Sequence, residues 1–106
     1  MGSIPLGYSK SPDNGDDMNP NQLDTQQLLT FLAIAETGTF SAAAARLHVS
    51  QPAVSKRLSL FEQRLGFTLF DRLGQRVVLT YRGERLLPAV RQIQRDLDDI
   101  AAAAQL

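Results

Sequence analysis

Between Val49 and Ser59 the chain reads VSQPAVSKRLS, and the polar side chains in it, short apart from the lysine, are Ser50, Gln51, Ser55, Lys56 and Ser59. A glutamine can pair through two hydrogen bonds with an adenine edge, a serine can bond several base edges, and a lysine suits guanine or a phosphate. Pro52 could touch a thymine methyl. Ser50 and the free backbone donors of a helix start could hold a phosphate through the helix dipole. Each also has a plainer reading: Ser50 as an ordinary helix cap, Gln51, Ser55 and Lys56 as a solvated face.

Other chemistry finds little support. His48 is the single histidine, with no second metal donor patterned near it, and it reads as a turn residue because histidine tolerates positive φ. Glu62 and Glu84 have no partner at a spacing that suits acid–base catalysis, and neither a Gly-rich phosphate loop nor a Ser-His-Asp order occurs. The expectation is a chain without an active site, metal or cofactor.

The polar residues need a helix to carry them. At 100° per residue, Val54, Leu58, Phe61 and Leu65 share one face over residues 51–65, while Pro52, Ser55, Lys56, Ser59 and Gln63 cluster on the opposite one. An ordinary solvent-facing helix carries long charged side chains. A helix pressed into a major groove needs short ones, so that its backbone can approach the bases, and Gln51 stands at the N-terminal end, which enters first. Ser50 is the expected N-cap, Pro52 fits the first turn, and Gly66 is the expected stop with Phe67 as its apolar contact.

Upstream, Asp24 and Gln27 resemble a capping box ahead of Leu28, Phe31, Leu32 and Ala35 at helical spacing, with Gly38 closing that helix after Thr37. A short second helix is predicted from Ser41, as N-cap, to Leu47. Its four alanines, Ala42 to Ala45, give high helix propensity and a narrow body that a neighbouring helix can approach. Downstream, Leu69-Phe70 and Val77-Val78-Leu79 read as two short strands around Arg72-Leu73-Gly74-Gln75-Arg76. Thr80 then caps a long final helix, kinked but continuous through Pro88. Leu86, Val90, Ile93, Leu97, Ile100 and Ala104 recur along it at steps of four and three, a stripe expected to meet a second copy of the chain.

Residues 1–22 hold three of the five prolines and three of the seven glycines without apolar periodicity, and are expected to be disordered, with Met18 an alternative start. The 106 residues allow one small domain plus an accessory element. With no cysteine there are no disulfides and no thiolate metal sites, so a cytoplasmic, nucleoid-associated protein is expected. No apolar run approaches the roughly 20 residues of a membrane span, and no signal peptide is evident. The zero net charge conceals segregation: residues 40–95 carry ten basic against three acidic residues, a net of +7, flanked by −4 before and −3 after. Such asymmetry suits a polyanion partner.

Two helices joined by a three-residue break and followed by a basic hairpin form the layout of a winged helix-turn-helix. The stretch FSAAAARLHVSQPAVSKRLSLFEQRLGFTLFDRLGQRVVLT resembles the N-terminal DNA-binding domain of LysR-type transcriptional regulators over about Leu23 to Thr80, and continues into a linker helix. Its most specific parts are Phe40 to Ala44, VSQPAVS from Val49 to Ser55, Leu65-Gly66, LFDR from Leu69 to Arg72, and Leu79-Thr80. The resemblance implies a mainly α fold: three helices with a two-stranded wing (helix-turn-helix about 40–59, wing about 69–79), then a dimerisation helix over 81–106. It implies a homodimer on an interrupted inverted repeat of double-stranded DNA, with helix 51–65 in the major groove and the wing on the minor groove or backbone.

The DNA-facing candidates are then Ser41, Ser50, Gln51, Pro52, Ser55, Lys56, Ser59, Arg72, Gln75 and Arg76. Many members of that family carry arginine directly after the wing glycine; here Gln75 takes that place and Arg76 follows. Family members normally continue into an effector-binding domain, so this chain is expected to be a DNA-binding fragment without small-molecule sensing. Alternatives at this level are a regulator that borrows the domain ahead of a different sensor, and a helical interaction module whose basic residues only keep it soluble.

Overall fold

In a computed structural model of the protein, which describes residues 19–105, four helices and one hairpin follow a single 3-10 turn. The turn, Pro20–Gln22, is capped by Asn19, so the last residues of the segment expected to be disordered are ordered; residues 1–18 of that expectation lie outside the described residues. The helices are α1 (Thr25–Thr37), α2 (Phe40–Leu47), α3 (Gln51–Leu65) and α4 (Tyr81–Ala104). Strands β1 (Phe70–Leu73) and β2 (Arg76–Leu79) form the hairpin between α3 and α4.

Helix ends are set by local chemistry. Gly38 and Gly66 end α1 and α3 in the left-handed conformation, at φ 84° and 87°, where a side chain is strained. His48 does the same for α2 at φ 59°. The Val49 N–H reaches back to the Ala44 carbonyl, which closes a Schellman-type stop with histidine in the usual place of glycine. Ser50 caps α3 by accepting from the Ala53 N–H at 3.2 Å, and Thr80 caps α4 by accepting from the Gly83 N–H at 3.1 Å.

Two expected caps are corrected. The N-cap of α2 is Thr39, whose Oγ1 accepts from the Ala42 N–H at 3.0 Å, and Ser41 lies inside the first turn. Starting the helix two residues early turns Phe40 into the core, where it is only 8 % exposed. Asp24 caps α1 by accepting from the Gln26 N–H at 2.8 Å, but Gln27 closes no box. Its side chain is buried, and its Oε1 has no partner among the described residues.

Phe31 of α1 is the hub of the core, edge-on to Phe61 of α3 at 6.3 Å between ring centres and tilted against Phe70 of β1 at 5.5 Å. Ile34, Phe40, Ala43, Val54, Leu58, Leu69, Val77 and Val90 are among the residues buried with it. Ala43 is fully buried while Ala42 and Ala45 are exposed, so one face of the alanine run packs against α1 and α3. The strands pair antiparallel, Phe70 opposite Leu79 and Leu73 opposite Arg76. Gly74, at φ 64°, opens the two-residue turn between them.

Helix α4 runs unbroken through Pro88, as expected. Gly83 in its first turn lies against the backbone of the wing: a Cβ there would stand 2.4 Å from the Leu69 carbonyl oxygen and 2.9 Å from Leu79 Cδ2. The stripe along α4 does not behave as one surface. Val90 is buried and Leu86 and Ile93 are half-buried against the core of their own protomer, while Ile100 and Ala104 stand exposed. Of the six residues expected to face a second copy, Val90 packs into the core of its own protomer.

Candidate nucleic-acid interface

Helices α2 and α3 meet through the three residues His48, Val49 and Ser50. The apolar face of α3 is spent inside: Val54, Leu58 and Phe61 are buried against α1 and α2. The opposite face is left outward, with Pro52, Lys56, Ser59 and Gln63 exposed and Ser55 half-buried at its edge. Gln51 is exposed at the N-terminus, beside its cap Ser50. The structure therefore brings the short polar residues onto one accessible strip. Leu60, 44 % exposed, flanks that strip and is the apolar exception on it.

The wing leans on α2. Arg72 places its guanidinium 4.5 Å from the centre of the Phe40 ring, a cation–π contact. The Val77 N–H donates to the Gly38 carbonyl at 2.9 Å, and the Arg76 guanidinium lies beside Gly38. Both arginines are exposed near the turn end of the wing, close to the N-terminus of α2 where Ser41 is exposed, while Gln75 is exposed in the turn itself. Two cations beside the positive end of a helix form an anion-attracting surface.

Three residues that position this surface escaped the sequence reading. Thr39 caps α2, a role the pattern gave to Ser41. Glu62 accepts from the Leu69 N–H at 2.6 Å and so ties the end of α3 to the start of the wing. Gly83 admits the wing backbone against α4; its place near the start of a helix was visible, the close approach was not. Among the described residues no three His, Cys, Asp or Glu side chains cluster as metal ligands, and no helix is long and apolar enough to cross a membrane.

A recognition helix presented by a short α2–α3 turn and flanked by a hairpin defines a winged helix-turn-helix. The family model for bacterial regulatory helix-turn-helix proteins of the LysR family matches residues 25–84, and the chain belongs to that family. An uncharacterized HTH-type transcriptional regulator in the ibpB-leuC intergenic region of Azotobacter vinelandii is 51% identical over 81 residues, covering 76% of this chain and 56% of that protein. The chain thus spans little more than half the length of this relative, and 28% of the Escherichia coli regulator YnfL, which is 40% identical over 83 residues. Among solved structures, the OxyR C206 mutant of Corynebacterium glutamicum superposes with a TM-score of 0.74 at 35% identity, over 77% of this chain and 26% of that one. The CbnR DBD in complex with DNA superposes with a TM-score of 0.66 at 38% identity, over 77% of this chain and 99% of that one.

Proposed function

We propose that this chain binds operator DNA in a sequence-specific manner as a homodimer, one α3 helix in the major groove of each half of an interrupted inverted repeat. The observation that carries the reading is the outward strip of α3. A helix whose buried face is complete and whose free face is short-chained and polar can bring its backbone close to base edges. Within it Gln51 pairs with adenine, Ser55 and Ser59 bond base edges, Pro52 meets a thymine methyl, and Lys56 takes guanine or phosphate. Ser41, Ser50, Arg72 and Arg76 hold backbone phosphates, and Gln75 brings the wing to the minor groove. The likeness to CbnR, whose DBD is known in complex with DNA, supports the same reading.

Fluorescence anisotropy with two labelled duplexes, one bearing an interrupted inverted repeat and one scrambled, tests it at two salt concentrations. Preference for the repeat, with affinity falling steeply as salt rises, is expected. A folded chain that binds neither duplex overturns the reading.

A further inference from the structure

Leu60 is the large apolar side chain on the outward strip of α3, 44 % exposed and outside the core cluster of the fold. The buried direction of the helix is the mean of Val54, Leu58 and Phe61. At 100° per residue the centre of the opposite face falls between Lys56 and Gln63, and Ser59 and Leu60 stand about 50° to either side of it. As consecutive residues they differ in height by only about 1.5 Å along the axis. A partner that reaches Ser59 therefore reaches Leu60 as well.

The two edges of that face are marked by contacts on opposite sides. On the Ser59 side, the Glu62 carboxylate accepts from the Leu69 N–H at 2.6 Å and so faces the wing. On the Leu60 side, the Arg64 guanidinium donates to the Gln22 carbonyl, just ahead of α1. A major groove laid against α3 then presents one strand to the wing and Ser59, and the other to Leu60. Lys56, Arg57, Gln63 and Arg64 surround Leu60 at the three- and four-residue spacings that make neighbours on a helix. An exposed leucine among three cations suits a partner that is anionic at its rim and apolar at one point between the charges. Among the base edges of a major groove only thymine offers that point, its C5 methyl.

Resting on the reading of α3 as the helix in the major groove, we infer that Leu60 is a further specificity-determining residue, which takes the methyl group of a thymine on the strand away from the wing. Pro52 meets its own thymine near the start of the helix, about 12 Å away along the axis, so the two side chains read different bases. Contact between leucine and methyl removes apolar surface of both from water. Cytosine in the same place lacks the methyl and presents its N4 amino group instead. Against Leu60 that donor loses water and gains no acceptor. Leu60 thus favours thymine and disfavours cytosine through one side chain.

The test uses the full chain and an operator duplex that it selects from a random-sequence pool. Each thymine of one half-site is replaced in turn by uracil, which lacks only the methyl, and affinities are read by fluorescence anisotropy. At one position besides the Pro52 contact, uracil is expected to weaken binding of the wild type by about three- to fivefold, the effect of one buried methyl group. Cytosine at that position is expected to weaken it further. Leu60→Ala is expected to bind the thymine and uracil duplexes equally there, to keep the discrimination at the Pro52 position, and to keep the salt slope, because no charge is lost. Leu60→Gln, of similar length but polar, is expected to lose the same discrimination, and circular dichroism checks that both variants are folded. Comparing each variant with the wild type on the same pair of duplexes separates a contact from an effect of the methyl on DNA shape. A wild type that selects no preferred sequence overturns the reading of α3 and this inference with it. A selected operator in which no uracil position responds, or in which both variants respond as the wild type does, overturns the role of Leu60 alone and leaves that side chain to a protein partner or to water.

Discussion

Arg72 stacks on Phe40, its guanidinium carbon 4.5 Å from the ring centre, and this contact ties the wing, near its turn, to the first turn of α2. The arginine is held ready rather than left to search, which lowers the entropy lost when it meets a phosphate. Arg72→Ala is expected to weaken binding to all duplexes and to reduce the salt slope by about one. Phe40→Leu keeps an apolar side chain in the core but removes the ring; a stacking contact of about 0.5–1 kcal/mol predicts a two- to fivefold loss of affinity. Anisotropy titrations of both variants check this. Unchanged affinity for Phe40→Leu would show that the stack does not position Arg72.

Base-reading and phosphate-holding residues should fail differently. Gln51→Ala is expected to cost roughly 1–3 kcal/mol on the preferred site and to relax base preference, because one two-bond contact to a base edge is lost. Arg76→Ala is expected to lower affinity for preferred and scrambled duplexes alike and to flatten the salt slope by about one. Titrations of both proteins across a set of single-base operator variants separate the two patterns. If Gln51→Ala leaves base preference intact, α3 does not read the site through its N-terminus.

Gly83 should tolerate no side chain. Helical alanine ordinarily gains over glycine by about 1 kcal/mol, but here its Cβ would stand 2.4 Å from the Leu69 carbonyl oxygen, a backbone atom that also accepts from the Thr80 N–H at 2.9 Å. Neither can retreat without parting the wing from α4. Gly83→Ala is therefore expected to destabilise the protein by about 1–3 kcal/mol, the usual range for overpacking, as read from urea unfolding. An increase in stability would mean that the wing shifts freely.

What could be read from the sequence follows how local the cause is. Gly38, His48, Gly66, Ser50 and Thr80 were legible as helix ends because each acts on backbone groups a few residues away. The polar strip of α3 was legible because its complement, Val54, Leu58 and Phe61, marks the inside. Thr39 and Ser41 offer the same hydroxyl chemistry two residues apart, and the choice between them is made by the burial of Phe40 in a core that the local pattern does not contain. Gly83 and Glu62 depend on where the wing lands, which no periodicity encodes.

The stripe on α4 shows the same limit, and two substitutions on it should part company. Val90 and Ile100 repeat in one helical pattern, yet Val90 is 1 % exposed and Ile100 64 %. Periodicity reports that a stripe is apolar; it does not report whether the cover comes from the same chain. Val90→Ala empties space against α1 and is expected to cost about 1.5–3 kcal/mol. Ile100→Ala removes a side chain that water already reaches, and is expected to shift protomer stability by less than about 0.5 kcal/mol. Urea unfolding checks both at a protein concentration low enough that stability no longer varies with it, so that protomer folding alone is read. Equal losses at the two positions would mean that the α4 tail folds onto its own protomer.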